Sequence, residues 1–390
     1  MLGKTAIAAS NRKIKVVYLA RSLEATGGAE QQLARLVLGL DRSCFEPIVI
    51  LFYRVGELIN QLEAKGVRVE VLDKRGRWDL VRQVFSLVRL VRHFGADVVH
   101  SYLGPPNVAS AMLYSLLGKS KVVWGLRASD MDLRLYDWTR RGTFALERML
   151  SRIPDLIVVN SAAGGEYLLR AGFEPRRLEV IENGIDTQTF RNTPRGIELR
   201  ERWLSGQGRF LIGLIARLDP MKDHENFLHA VRIASSMRSD VRFVCVGSGP
   251  SMLLAKYRTL ASSLGVDRLI TWVGEQQDMP AVYSACDLTT LSSAFGEGFP
   301  NVVAEALACE RLSVSTNVGD AAAILLTYGI VVPPRDPTAL ALAWHKILDL
   351  DRSTKRNMEI RARDHIRRQF GVEPMVDRTE RAYLNLLGRV

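Results

Sequence analysis

"NTPRGIELRERWLSGQGRFLIGLIARL", residues 192–218, divides the chain. Its first part, 192–209, is polar and helix-prone and contains no strand. Its last part, "FLIGLIARL", is a nearly unbroken apolar run of the kind a strand covered on both faces requires. Before it, "KVVYLA", "EPIVILF", "VRVEVL", "ADVVHS", "KVVWGL" and "LIVVNS" alternate with helical patterns. After it, "VRFVCVGSG", "LITWVGE", "ACDLTTLSS", "RLSVSTNVG" and "GIVVPP" do the same. Short Val/Ile/Leu runs separated by helices predict parallel sheets. Two such series with a polar joint predict an α/β protein of two doubly wound, Rossmann-like domains facing a cleft. The expected bounds are 1–190 and 191–371, with the final helix, 372–390, packing back onto the first domain.

The 390 residues are 47% hydrophobic and 24% charged, which suits a globular chain able to bury large cores. No stretch approaches the roughly 18–20 apolar residues of a membrane span. The first residues lack a clear apolar region with a cleavage site, so no secretory signal is expected, and the expected location is cytoplasmic. Cys44, Cys245, Cys286 and Cys309 are far apart, match no metal-ligand spacing and are expected as reduced thiols. The net charge of +11 is concentrated early: residues 1–185 hold 27 Lys/Arg against 19 Asp/Glu. A basic half attracts polyanions, whether nucleic acid, acidic lipid or phosphorylated substrate.

Two helices stand out by pattern. Over 79–95, Val81, Val84, Phe85, Val88 and Val91 are expected on one stripe, opposite Arg82, Ser86, Arg89 and His93. Over 134–152, Trp138 and Phe144 lie among Arg140, Arg141, Arg148 and Arg152. That segment either covers the sheet or lies on acidic lipid.

The chemistry concentrates in "FGEGFPNVVAEALAC", 295–309. Pro300 suits a first helical turn, because its missing N–H is one of the unpaired donors there anyway. Asn301, Val302 and Val303 are expected to present backbone N–H groups at the positive end of the helix, a site for phosphate. Glu305 lies about one turn further in, suited to ribose hydroxyls, and Glu297 stands before the helix start, where a sugar would sit. A glycosidase pair is disfavoured, since eight residues of helix would separate the carboxylates by about 12 Å, against the roughly 5–9.5 Å such enzymes use.

The Glu-x7-Glu spacing around "EGFPNV" resembles the signature of retaining GT-B glycosyltransferases of the family 4 group. In order, "TGGAEQQLARLVLGL" (26–40), "ADVVHSYLGPPN" (96–107), "VIENGIDTQTF" (180–190), "GLIARLDPMKDHENFLHA" (213–230), "VGSGP" (246–250), "WVGEQQDMPAVYSACDL" (272–288) and "GIVVPPRDPTALA" (329–341) resemble further segments of that family. The resemblance implies a nucleotide-sugar site. Gly27 and Gly28 would approach the diphosphate, and Arg217 and Lys222 would neutralise it in place of a metal. Phe299, Asn301 and Val302 would form the phosphate-binding helix start, Glu305 would hold the ribose, and the main chain at Gln276 would read the base. Glu297 would orient the sugar. The family's N-domain histidine is missing from "VVWGLRAS"; Arg127, with Asp130 close behind, stands nearest that place, and His100 ends a strand beside it. Glu297, Arg127 and His100 are thus the candidate catalytic residues. Glu310-Arg311 replaces the usual glycine after "EALAC".

The implied activity is retaining transfer of a sugar, from a UDP-sugar on family frequency, to a lipid-linked or polysaccharide acceptor in cell-surface polysaccharide synthesis. No metal or other cofactor is expected. The implied partners are the donor, the glycan or lipid-linked acceptor and, peripherally, an acidic membrane face, with no nucleic acid. Two rival readings remain: a UDP-sugar epimerase of the same fold, and a non-catalytic nucleotide-sugar-binding subunit. Walker A, complete dinucleotide fingerprint and GxSxG motifs are absent from the sequence.

Overall fold

The computed structural model describes residues 12–24, 28–72, 80–127, 138–204, 206 and 208–389. The chain forms two compact units, one of residues 1–184 with 372–390, the other of 185–371. The division therefore falls at 184/185 rather than at 190/191.

The first unit is built on a parallel sheet of β1 (Ile14–Ala20), β2 (Phe45–Leu51), β3 (Arg68–Val71), β4 (Val98–Tyr102), β5 (Lys121–Leu126), β6 (Leu156–Val159) and β7 (Leu178–Val180). Their spatial order is β3-β2-β1-β4-β5-β6-β7. The central strands β1 and β4 are almost wholly buried, which is why they read as unbroken apolar runs. β7, three half-exposed residues at the sheet edge, is too short and too polar to have stood out in the sequence. The helix Val372–Leu386 packs on Gly28–Gly39 and places Met375, Val376 and Tyr383 in this unit's core.

The second unit carries β8 (Phe210–Ile215), β9 (Val241–Val246), β10 (Ile270–Gly274), β11 (Leu288–Leu291), β12 (Ser313–Thr316) and β13 (Gly329–Val332). These are also all parallel, in the order β10-β9-β8-β11-β12-β13. Both sheets reverse winding direction between their first and fourth strands, β1/β4 and β8/β11. Open α/β sheets bind ligands beyond the carboxyl ends of the strands at such a switch point. The chain enters this unit at Ile185 and leaves it at Gly371, and the two residues bridge, with Ile185 N–H donating to the Phe370 carbonyl at 2.7 Å.

One helix is rotated from the expected phase. Leu80–Phe94 buries Leu87, Val91 and Phe94, while Phe85 is 70% exposed. Leucines at 87 and 90 make the stripe ambiguous by pattern alone, and packing on the sheet selects the 87–91–94 face. Cys245, Cys286 and Cys309 are buried thiols and Cys44 is partly buried. Burial pushes the Cys286 thiol up to about 12. Among the described residues, no helix is long and apolar enough to cross a membrane.

Candidate functional site

In the second unit, the loop after β8 carries Arg217 and Lys222. Asp219 caps a short turn at Pro220–Lys222 by accepting from Met221 N–H. Asp223, in the left-handed region at φ 46°, then caps His224–Met237 by accepting from Asn226 N–H. This tight double cap leaves Lys222 facing the loop after β11. Three bonds lock the two loops together: Ala294 N–H to the Met221 carbonyl, Ser292 Oγ to the Lys222 carbonyl, and Lys222 Nζ to Glu297 Oε1 at 2.5 Å. Ser293 Oγ donates to the same carboxylate oxygen at 2.6 Å. The Lys222 and Glu297 side chains are 13% and 10% exposed, so this is a buried ion pair at the switch point. Gly319, at φ 54°, supports the loop from behind, where a Cβ would strike the Gly298 carbonyl at 2.3 Å. Arg217 is exposed, at the carboxyl end of β8.

The helix Asn301–Ala308 begins four residues after Glu297, capped by no side chain. Asn301 and Val302 open it as expected, but Val303 N–H is already spent on the Pro300 carbonyl at 3.1 Å. Phe299 is a correction. Its ring is buried against Phe370 at 5.3 Å, inside the apolar core, so its side chain is a core residue and not a ligand contact. Glu305 lies half-buried on this helix, and Tyr283, itself fully buried, donates its hydroxyl to Oε2 at 2.7 Å. The Gln276 side chain folds back onto the carbonyls of Val273 and Glu275. Glu310 takes φ 59°, the left-handed geometry a glycine would adopt freely, and pairs with Arg356 at 2.7 Å. Among the described residues, no group of three His, Cys, Asp or Glu is placed to hold a metal ion.

Truncating Glu305 to alanine should strip Tyr283 of its acceptor and weaken nucleotide binding by about tenfold to a hundredfold, the range for hydrogen bonds to a charged group. Tyr283→Phe should give a smaller loss, because the carboxylate stays but its anchor goes. Titration calorimetry with UDP measures both; equal affinities in all three proteins would remove Glu305 from the site.

The first unit has its own cavity, of about 540 Å³, at the carboxyl end of β1 and β4. Arg21, Glu30, Tyr102, Arg127, Arg140 and Glu147 are its polar walls. Arg127 bonds Asn183 Oδ1 and lies over the Tyr102 ring, 5.4 Å from its centroid, while its Nε is buried without a partner. Burial draws its pKa down, and Tyr102 opposes the shift. Glu147 went unnoticed in the sequence. It comes from helix Trp138–Leu150, is 5% exposed, and accepts from Asn107 Nδ2 at 2.8 Å and from the Gly104 backbone N–H. Burial pushes its carboxyl up to about 7. Beside it Leu103, at φ 62° and ψ 146°, occupies a region that side chains avoid. The sequence signal for Glu147 was its place as the sole acid in an arginine-rich helix, at the spacing of Phe144 on the inner face.

His100 is the second correction. It is 1% exposed, with Nδ1 2.6 Å from the Tyr383 hydroxyl, which in turn bonds Tyr18. Burial, helped by the charge of Arg127, lowers its pKa to about 3, so the ring is neutral. It does not end its strand, as expected, but sits in the middle of β4, on the face that Val372–Leu386 covers, so it is a core histidine and not a catalytic one. Gly28 opens the helix Gly28–Gly39; Gly27 and Asp130 lie outside the described residues.

Two units of Rossmann strand order, each with a polar site at its switch point, define the GT-B architecture of nucleotide-sugar enzymes. The model "Glycosyltransferase Family 4" matches residues 26–189, and "Glycosyl transferases group 1" matches 209–349. The chain belongs to this family, the group 1, family 4 glycosyltransferases. Among curated relatives, D-inositol 3-phosphate glycosyltransferase of Salinispora tropica is 27% identical over 311 residues, covering 75% of this chain and 62% of the relative. The N-acetylgalactosamine-N,N'-diacetylbacillosaminyl-diphospho-undecaprenol 4-alpha-N-acetylgalactosaminyltransferase of Campylobacter jejuni is 24% identical over 234 residues, covering 59% of this chain and 60% of that one. The chain thus spans under two thirds of the length of these relatives. The crystal structure of Anabaena Alr3699/HepE in complex with UDP superposes with a TM-score of 0.82 at 21% identity, covering 95% of this chain and 100% of that one.

Proposed function

We propose that the chain transfers a sugar from a UDP-sugar to a lipid-linked or polysaccharide acceptor, with retention of configuration and without a metal. The buried Lys222–Glu297 pair in front of helix Asn301–Ala308 carries this reading. An ammonium and a helix start converge where a diphosphate leaving group would develop charge, and fixed positive groups in a partly dry site stabilise such charge strongly. Arg217 adds a second, solvent-facing cation. Glu305, one turn into the helix, is set to take the ribose hydroxyls, and Glu297 to orient the sugar. The acceptor would be held in the first unit, where Arg127 and Glu147 face one cavity. Family relatives named for lipid diphosphate acceptors support that class, and a structural neighbour described in complex with UDP supports the donor base. Transfer to the face the nucleotide leaves needs no enzymic nucleophile, so no covalent sugar intermediate is proposed.

The test is proton NMR of UDP-sugars hydrolysed slowly by the enzyme in EDTA. An α-linked donor should release the α-sugar first. First appearance of the β-sugar would refute retention, and conversion of the free UDP-sugar into its epimer would establish the rival isomerase.

A further inference from the structure

Arg127 carries a charge that the first unit does not balance. Its part-buried side chain lines the cavity at the carboxyl end of β1 and β4, donates to Asn183 Oδ1 and lies over the Tyr102 ring. Both partners are neutral, since burial raises the Tyr102 phenol above its ordinary value. Its Nε is shut off from solvent without a partner. Among the described residues no carboxylate forms an ion pair with it, and Glu30 acts on it only at longer range. Charges drawn out of water are normally paired, because neutral hydrogen bonds alone do not make up for the lost hydration. The other acids of the cavity are already engaged. Glu30 sits in the first turn of helix Gly28–Gly39, and Glu147 accepts from the Gly104 N–H that opens helix Gly104–Met112. Each helix start, the part of a fold that takes phosphate most readily, thus has a protein carboxyl on it. Arg21 and Arg140 are exposed, and Arg21 rests over the Tyr53 ring at 5.7 Å. What stays unbalanced inside is one planar fork of N–H donors, matched in shape and charge by one carboxylate. Two acids beside it disfavour a doubly charged phosphate. Thr139 and Thr143 add hydroxyl groups to the same lining.

We propose that this cavity binds a sugar carboxylate, the group that distinguishes a uronic acid from a neutral hexose, and that Arg127 selects it. The carboxylate supplies the counter-ion that the protein itself does not. A neutral sugar in its place leaves the guanidinium unpaired, so selectivity comes from the cost of that unpaired charge as well as from the bond formed. The inference rests on the proposed function in placing a sugar here, and it narrows the substrate class to one with an acidic sugar, in the acceptor glycan or in the donor.

The experiment is a ligand-observed NMR titration of the full chain with inorganic phosphate and with methyl glycosides of glucose, galactose and the two corresponding uronic acids. Calorimetry with the matching neutral and acidic UDP-sugars runs beside it. The acidic sugar should bind about tenfold to a hundredfold more tightly than its neutral counterpart, the range for a hydrogen bond to a charged group. A preference among the methyl glycosides assigns the carboxylate to the acceptor, and one confined to the UDP-sugars assigns it to the donor. Arg127→Met should abolish the preference, and Arg127→Lys, which keeps the charge without the fork, should retain part of it. Because the charge is unbalanced, Arg127→Met should also unfold at a higher denaturant concentration than wild type, which a purely structural arginine would not do. Equal binding of acidic and neutral sugars in both series, phosphate bound more tightly than either methyl uronide, or a lowered midpoint in Arg127→Met would overturn the inference. Stabilisation of the wild type by UDP separates the two readings. Where UDP stabilises, a negative result falls on the carboxylate alone, and where it does not, the donor site fails first.

Discussion

Lys222→Ala is expected to lower the stability of the second unit by about 3–5 kcal/mol and to reduce turnover by roughly a hundredfold to a thousandfold. The stability loss arises because Glu297, 10% exposed, would keep its charge with only Ser293 as a partner. Breaking a buried pair from one side costs far more than removing both partners, because an uncompensated charge remains. Lys222→Met/Glu297→Met should therefore recover most of the stability, while turnover stays low because the cation for the leaving group is still missing. Urea denaturation and steady-state kinetics on both proteins measure the two effects separately. A double variant as unstable as Lys222→Ala would mean that the loop packing, and not the charge, was lost.

The second large effect is a pH dependence carried by Glu147. Burial raises this carboxyl to about 7 from a reference of 4.5, so between those values the folded state holds a proton that the unfolded chain releases. Stability then falls as pH rises through that window and levels off above the folded value. The gap corresponds to ~3 kcal/mol. Glu147→Gln removes this dependence while keeping an oxygen to accept from Gly104 and Asn107. The variant should match the wild type within about 1 kcal/mol at pH 4.5 and exceed it by about 2–3 kcal/mol at pH 8, read from denaturant midpoints of the first unit's transition. A stability difference that does not change with pH would show an ordinary carboxyl. A proton this expensive to remove, beside the strained backbone of Leu103 and inside a cavity, marks the cost of keeping an ionisable group where an acceptor would lie.

Much of this was legible in the sequence, for identifiable physical reasons. The central strands of both sheets are covered on two faces, so β1, β4, β5 and β8 appear as apolar runs that need no tertiary knowledge. Helix starts follow local rules, and Pro300 with Asn301 announced theirs. Partnerships across distant segments were not legible. Lys222 and Glu297 are 75 residues apart, and nothing in either stretch announces that the fold joins them in one buried pair. Phe299 was assigned to the ligand because of its neighbours, yet Phe370, from a later helix, takes its ring into the core. His100 was assigned by its place at a strand end, but only the returning helix Val372–Leu386 decides that its face is closed. The phase of helix Leu80–Phe94 failed for a related cause, since its apolar stripe is wider than the face the sheet covers, and the sheet selects Leu87, Val91 and Phe94 from it.

The most direct test of the donor site is a thermal-shift series with UDP, GDP, ADP and CMP, each in EDTA and in Mn²⁺, on wild type, Lys222→Ala and Glu305→Ala. A ligand that binds only the folded state raises stability by mass action, by about 2.7 kcal/mol at a hundred times its dissociation constant. The predicted result is a UDP shift of equal size in EDTA and Mn²⁺, clearly reduced in both variants, to about 0.4–1.4 kcal/mol in Glu305→Ala. A shift that requires Mn²⁺, or one undiminished by both substitutions, would contradict a metal-independent diphosphate site built on Lys222 and Glu305.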